Sequence, residues 1–508
     1  MLHYAADRRG VALITALFFG CLCLSLSVGF LLQVPVDLGA TSQLRHDTRA
    51  SYIAEAAVEH TMAWMSHEIE NLREPCTSAD PNPTRSGTLD SWEWTCTVVP
   101  DSQTPPHGLS PLRLYELTAT ALLDGKPQYQ IVANVQAGQS FARYSMFIDE
   151  DGFITYDFLV TEDSQVRGPI HKNRPISFLV SPSVLAASPS GSFPYESVIS
   201  TTDTHHKWYV GGTLQHHLSD EQYENILQNG VDDLEYAAPP KPMPTDSSVL
   251  AQAAWGGPVT SPPPGVTVNS MGGVYIVGDV SEMELSVNGN GHFELRIEQG
   301  GSVTRVIEDL TNDRRLVIDS SGATSEVAGR GTGVIFATGS IASLRGVNKG
   351  AHTIANRFED GKTMEITGSL TRSDTPVGSE PGVTTDRLGL VSSTIWITDE
   401  SILPRSVSTP LYIYASVMAT EIFEVKDRFS GNPGAMAIYG GMASDKAWAT
   451  VDFNNLTELR TTHGYGGLSG FGSANIYYDK LLADEPPPEF PTTASASLSI
   501  RSWKEQPL

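Results

Sequence analysis

The segment HHKWYVGGTLQHH, residues 205–217, carries four imidazoles. If the chain turns back at Gly211-Gly212, His206 stands opposite His217 and Lys207 opposite His216 on a hairpin. Two imidazoles from facing strands can share a transition metal. No cysteine or third fixed ligand lies nearby, however, and Lys207 would repel the ion, so these histidines read as exposed hairpin residues and no metal is expected. Asp149, Glu150 and Asp151 before Gly152 have a calcium-loop flavour, but the spacing is not that of an EF-hand, and a solvated turn is expected. No G-x-S-x-G, H-E-x-x-H or Walker loop occurs, and no Ser/His/Asp set lies in a local frame, so no enzyme and no cofactor are expected. A carbohydrate-active site assembled from separate β repeats would leave little linear trace and stands as an alternative.

The elements around these residues set their compartment. Arg8 and Arg9 precede an apolar run from Val11 to Val34 that contains no Asp, Glu, Lys or Arg. As a helix the run is roughly 36 Å long, enough to cross the hydrocarbon core. The paired arginines place the short leader in the cytoplasm, and everything beyond Pro35 outside. A cleaved secretory signal would have a shorter apolar core followed by a small-residue site, which is missing here. Val58, Met62, Met65, Ile69 and Leu72 then recur at spacings of four and three, which extends the helix to about Arg73, with Pro75 as its stop. The expected location is the bacterial inner membrane, single-pass, with the ectodomain in the periplasm and then on a pilus or the cell surface.

Of the four cysteines, Cys21 and Cys23 fall in the apolar run, where they behave as small hydrophobes. Cys76 and Cys96 lie outside, and an oxidising compartment favours one disulfide between them, worth about 3 kcal/mol. The formal charge of −25 argues against a nucleic-acid partner. Tyr115, Leu117, Ala119 and Ala121 alternate before Asp124-Gly125, and Tyr129, Ile131, Ala133 and Val135 alternate after it, predicting a hairpin on a type I′ turn. Short β runs recur at 272–280, 331–341, 363–370, 393–400, 410–417 and 435–442, each ending near a small residue or turn. They fit the steps of a β-solenoid with insertions, with a β-sandwich as the alternative. The fold class expected is a mainly β ectodomain on an N-terminal transmembrane α-helix.

Several short motifs add a family resemblance. Arg8-Arg9-Gly10 before Val-Ala-Leu-Ile resembles the class III signal of type IV pilins and pseudopilins, which implies cleavage by a prepilin peptidase between Gly10 and Val11. Ala54-Glu55-Ala56-Ala57 is similar to the AEAA motif of PilX-like pilus-assembly proteins. Gly168-Pro169-Ile170-His171 with Asn173 looks like a signature of the DUF4900-type ectodomain often joined to such an N-terminus; Gly168 and Asn173 are read as turn residues. The ending, Tyr478-Asp479, Leu481-Leu482, Pro486-Pro487-Pro488, Phe490-Pro491 and Ser502-Trp503-Lys504-Glu505, resembles the tail of the same proteins. Major pilins usually carry Glu at the fifth mature position, where this chain has Thr15.

The resemblance implies a minor pilin or pilus-assembly component, low-copy or at the tip. A tip pseudopilin of type II secretion and a pilin-anchored adhesin or carbohydrate-active solenoid are the alternatives. Implied partners are the prepilin peptidase, major and minor pilins or pseudopilins, and the inner-membrane assembly platform. The expected division is a leader (1–10), a pilin-like helix (11–73, transmembrane 11–34), a small disulfide-containing β region (74–138), a DUF4900-like β segment (139–236), a Pro-rich linker (237–265), a β-repeat domain (266–480) and a Pro-rich tail (481–508).

Overall fold

The computed structural model describes residues 3–70, 76, 80–100, 113–150, 158–160, 166–180, 182–186, 195–196, 198–210, 213–238, 240–309, 311–380, 382, 385–398, 410–426, 435–446, 473–479 and 481–507. The chain is mainly β and forms two compact units. The smaller comprises 1–101, 114–137 and 498–508; the larger takes 102–113 and 138–497.

In the smaller unit, helix α1 (His3–Glu70) packs on a five-stranded sheet. Strands β1 (Thr84–Leu89), β2 (Trp92–Pro100), β3 (Arg113–Leu123) and β4 (Lys126–Ser140) follow in order, and the final strand, Thr492–Pro507, lies beside β4. The Asp124-Gly125 turn has φ of 50° and 71°, the left-handed pair that a type I′ hairpin requires. Alternation works as the sequence reading expects: Tyr115, Leu117, Ala119, Ala121, Tyr129, Ile131, Ala133 and Val135 are all buried. They meet a helical stripe of Ala50, Ile53, Ala54, Ala57, Val58 and Met65. Ala54 and Ala57 of the AEAA motif are fully buried, and small side chains there let the helix approach the sheet closely. Leu72, Arg73 and Pro75 lie outside the described residues.

The membrane-spanning expectation needs correction. Among the described residues no helix is long and apolar enough to cross a membrane. Helix α1 is itself continuous from His3 to Glu70. Further along the same helix, Arg45, Asp47 and Arg49 introduce charge. The inner-membrane, single-pass location is therefore not supported.

The larger unit is built on two parallel ladders. One runs Val274–Val277, Val334–Ala337, Ala351–Asn356, Arg387–Ile397, Ser416–Val425 and Gly441–Lys446. It then continues, against chain order, through Met146–Glu150, Ile170–Lys172, Ile199–Thr201 and Leu234–Glu235. The second runs Glu282–Val287, Ile341–Asn348, Thr363–Arg372, Leu411–Ile413, Ala435–Tyr439 and Ser473–Tyr477, then Val166–Arg167 and Tyr195–Glu196. Each β run found in the sequence overlaps a strand of one ladder or the other. Between Glu282–Val287 and the next step, the strands Phe293–Gln299, Ser302–Asp309, Arg314–Ile318 and Thr324–Ala328 make an antiparallel excursion.

This topology joins the segments expected as separate domains, 139–236 and 266–480, because Met442 to Lys446 pair in parallel with Met146 to Glu150. It also explains the Pro-rich stretch between them. Nine parallel steps at about 4.8 Å make the first ladder roughly 43 Å long. After Leu234–Glu235 the chain must return that distance to begin Val274–Val277 at the far end. The return is not merely a linker, since it contains the helix Ser248–Trp255, closed by Gly256 at φ 86°. Alternate residues of the first ladder feed two cores: Ile276, Ile354, Leu390 and Met442 face one, while Tyr275, Phe336, Ala355 and Val391 face the other. Leu250, Ala254, Leu482 and Phe490 cover that second face, so the ladder is buried on both sides, as parallel sheets usually are.

Candidate functional site

The G-P-I-H-x-N motif folds into a buried polar knot. Gly168 has φ 103°, and a Cβ there would collide with the Tyr478 side chain, so only glycine fits. Ser145 donates its hydroxyl to the Gly168 and Pro169 carbonyls, both at 2.9 Å. His171 is fully buried, with Nδ1 2.8 Å from Ser200 Oγ and Nε2 2.9 Å from Asn173 Oδ1. Asn173 Oδ1 also accepts the Lys241 backbone N–H at 2.9 Å, while its Nδ2 donates to Asp149 and to the Lys241 carbonyl. That fixes the amide orientation, so the imidazole proton belongs on Nε2 and Nδ1 accepts from Ser200. Burial, with the Lys241 charge second, lowers the His171 pKa to about 4 and keeps the ring neutral.

Serine, imidazole and orienting amide in this order have the outward form of a nucleophile, its base and a positioning group. The serine is buried, however, and lies 3.1 Å from the Ile170 carbonyl on an internal strand, where no acyl carbon can approach it. The arrangement is architectural. Sequence reasoning identified Gly168 as a turn residue, which it is. It missed that Asn173 ties Asp149, His171 and Lys241 together; the only sequence signal was the two-residue spacing of His171 and Asn173.

The tail motif meets the same region. Asp479 Oδ2 lies 2.7 Å from Arg372 Nη1, and both side chains are buried. In the smaller unit Glu505 accepts Tyr129 Oη at 2.6 Å and Trp503 Nε1 at 2.8 Å.

The histidine hairpin has the expected register: Val210 pairs with Thr213 and Trp208 with Gln215, although Gly211 and Gly212 lie outside the described residues. The four imidazoles do not share one environment. His216 and His217 are exposed, whereas His206 is fully buried against Phe178, Trp208 and Tyr236. Among the described residues no group of three His, Cys, Asp or Glu side chains is placed to hold a metal.

The remaining candidate residues lie on the smaller unit. Gly10, Val11 and Thr15 all fall within α1, and Thr15 is exposed. Cys96 is buried and Cys76 half-buried against the same apolar cluster. As a thiol, Cys96 is held at a pKa of about 11 by burial, with the Thr61 hydroxyl opposing the shift. On α1, Leu17, Phe18, Phe19, Leu22, Leu24 and Leu26 are 45% to 68% exposed. At 100° per residue these positions span about 220° of the circumference, wider than the stripe of Ala50 to Met65, and leave one face to the small residues Ala16, Gly20, Cys23 and Ser27. Ser25 and Ser27 return their hydroxyls to the Cys21 and Cys23 carbonyls at 2.8 and 2.7 Å, which removes their donors from the surface. Compared with family models, characterised proteins and solved structures, the chain matches none.

Proposed function

We propose that this protein is a non-enzymatic, low-copy or tip-located subunit of a type IV pilus-like filament, and that its larger unit is a β-solenoid. The observation that carries the filament reading is the change of character along α1. Its second half is amphipathic and seats a small antiparallel sheet, while the described part of its first half exposes large apolar side chains over more than half its circumference and small residues on the rest. So wide an exposed apolar surface, with a face of small residues that lets another helix approach, calls for neighbours on several sides, and the helices of other subunits in a bundle supply them. The Arg8-Arg9-Gly10 signal supports the same reading and sets Val11 as the mature N-terminus. Thr15 offers no carboxylate to a neighbouring subunit's terminal amine, and an ectodomain of this bulk repeated on every subunit would crowd a lattice of slender helices; both favour one or few copies.

The two parallel ladders support a solenoid over a sandwich, whose sheets would be antiparallel and packed face to face. Quantitative mass spectrometry of sheared filaments tests the role. The expected result is far less than one copy per major subunit, with the mature chain beginning at Val11. Near-equal stoichiometry along the shaft, or loss of the protein from filaments altogether, refutes it.

A further inference from the structure

The sheet of the smaller unit has an open edge at β1, which is paired on one side only, by β2. The hairpin between these strands turns through Asp90 at φ 56°, and Leu89 opposite Trp92 closes it. The Val98 N–H donates to the Pro83 carbonyl at 2.9 Å, one step beyond the pair Thr84–Thr97, and this fixes the phase of the ladder. Pro83, Arg85, Gly87 and Leu89 therefore direct their backbone groups at β2, while Thr84, Ser86 and Thr88 direct theirs away from it. Those three residues are exposed, and among the described residues no strand takes their outward N–H and C=O groups. Pro83 does not guard the edge, because its nitrogen lies on the β2 side.

Native sheets protect such an edge with charge, proline or a bulge. The opposite edge of this sheet is protected, since the final strand exposes Lys504 and Glu505 and ends in Pro507. In the larger unit the outermost strand of the antiparallel excursion, Thr324–Ala328, is short and holds Glu326 in an ion pair with Arg314 at 2.8 Å. The open edge of β1 has no such device. Its one charged side chain, Arg85, is turned to the helix side, with the guanidinium 4.9 Å from the centre of the Trp64 ring. Gly87 lies on that side too, roofed by Trp94, whose ring would be 2.6 Å from a Cβ there. The other face of β1 carries only the hydroxyl side chains of Thr84, Ser86 and Thr88, in an order that reads the same in both directions about Ser86. A contact across a two-fold axis needs a surface complementary to itself, and this pattern is one. With two β1 strands antiparallel about Ser86, Thr84 faces Thr88 of the second copy and Ser86 faces its counterpart, and each such pair exchanges two backbone hydrogen bonds. Threonine pairs are favourable across strands. On the helix side Arg85 falls opposite Gly87, which has no side chain to obstruct it, and Leu89, 48% exposed, falls opposite Pro83. No like charges oppose each other in this register.

We propose that β1 pairs with β1 of a second copy of this chain, antiparallel and centred on Ser86, so that two five-stranded sheets become continuous. The contact uses up the open β1 edge of both copies and therefore stops at two. The inference does not depend on the filament role, which is tested by stoichiometry in filaments and not by association of the isolated chain. The test uses the full chain in mild detergent, which covers the exposed apolar side chains of α1; sedimentation equilibrium reads the mass, and oxidative cross-linking with peptide mapping reads the register. Wild type should show a monomer–dimer equilibrium. Ser86→Cys should become linked to its counterpart, because a hydrogen-bonded pair places the two Cα atoms about 5.5 Å apart, within disulfide reach. Thr84→Cys should not, since its counterpart lies four residues along the paired strand, roughly 13 Å away. Ser86→Lys sets two ammonium groups against each other and should weaken association roughly tenfold or more, with the melting temperature unchanged. Ser86→Pro removes an N–H that β2 does not use, gives a second reading should the lysine variant lose stability, and should also weaken association. A wild type that stays monomeric at its highest soluble concentration, equal cross-linking at positions 84 and 86, growth beyond two copies as pairing of β1 with the final strand of another copy would give, or a dimer unaffected by both Ser86→Lys and Ser86→Pro would overturn the proposal.

Discussion

Replacing His206 by phenylalanine should make the larger unit markedly less sensitive to mild acid. Both ring nitrogens of His206 lack hydrogen-bond partners, and the ring sits 5.0 Å from Tyr236 and 5.8 Å from Phe178. Burial lowers its pKa from 6.5 to about 3, the His205 charge adds to this, and Asp203 opposes it weakly. The native state thus refuses a proton that the unfolded chain accepts. The resulting stability is fully present above pH 6.5 and is lost as pH falls through the window from 6.5 towards 3. Between pH 8 and pH 5 the loss from this residue is about 2 kcal/mol, and His171, with its pKa near 4, contributes a similar amount. His206→Phe keeps an aromatic ring in an aromatic nest and removes the titrating group. Urea unfolding at pH 8 and pH 5, followed by tryptophan fluorescence, should show the variant gaining about 2 kcal/mol over wild type at pH 5 relative to pH 8. Equal differences at the two pH values would refute the argument.

The opposite pH dependence is expected from Glu489, whose Oε2 is sealed from solvent without a partner although the residue as a whole is only half-buried. Burial raises its pKa to about 8, so stability is present below pH 4.5 and lost as pH rises towards 8; Glu489→Gln should gain roughly 4 kcal/mol at pH 8 and about 1 kcal/mol at pH 5, measured in the same unfolding series. Asp479→Asn should cost about 3–5 kcal/mol by stranding the buried Arg372, lowering the melting temperature of the roughly 370-residue larger unit by about 5 °C. Adding Arg372→Met should recover most of that loss, and a double variant no better than the single one would rule out the pairing. Cys76 and Cys96 should be linked in protein isolated without reductant, as read by non-reducing peptide mapping; recovery of both as thiols would exclude the bridge.

What was legible in the sequence was local. The Asp124-Gly125 hairpin and the alternating strands around it follow from turn chemistry and period-two patterning, and the histidine hairpin register follows from a two-residue turn. Of the stripe expected from the helical period, Val58 and Met65 are buried and Met62 half-buried, while Ala50, Ile53, Ala54 and Ala57, which face the same sheet, were not read as part of it. Long-range partners were not legible. Arg315 is buried and donates to the carbonyls of Gly272, Gly273, Asn269 and Gly329, with no carboxylate to announce it in the sequence. The membrane reading rested on hydropathy over Val11–Val34, whereas among the described residues no helix is long and apolar enough to cross a membrane.

The order of the ladders gives the short motifs a common explanation. Parallel steps laid down in chain order would leave residues 146–236 and 441–477 at unrelated positions. Here the chain builds the last steps first, travels back along the Pro-rich return, and builds forward until Gly441–Lys446 meets Met146–Glu150. The structure closes at that seam. Gly168 must be glycine because Tyr478 arrives from the other side of it; Ser145 accepts the Met442 N–H through its carbonyl at 3.0 Å and binds the Pro169 carbonyl with its hydroxyl; Asp479 neutralises Arg372. A tightly closed junction between distant parts of a chain restricts residue type as severely as catalysis does, since a Cβ, a missing hydroxyl or an unpaired charge there opens the stack. Residues that look like a reactive constellation, Ser200, His171 and Asn173, belong to the first steps beyond the same junction and are explained by its packing.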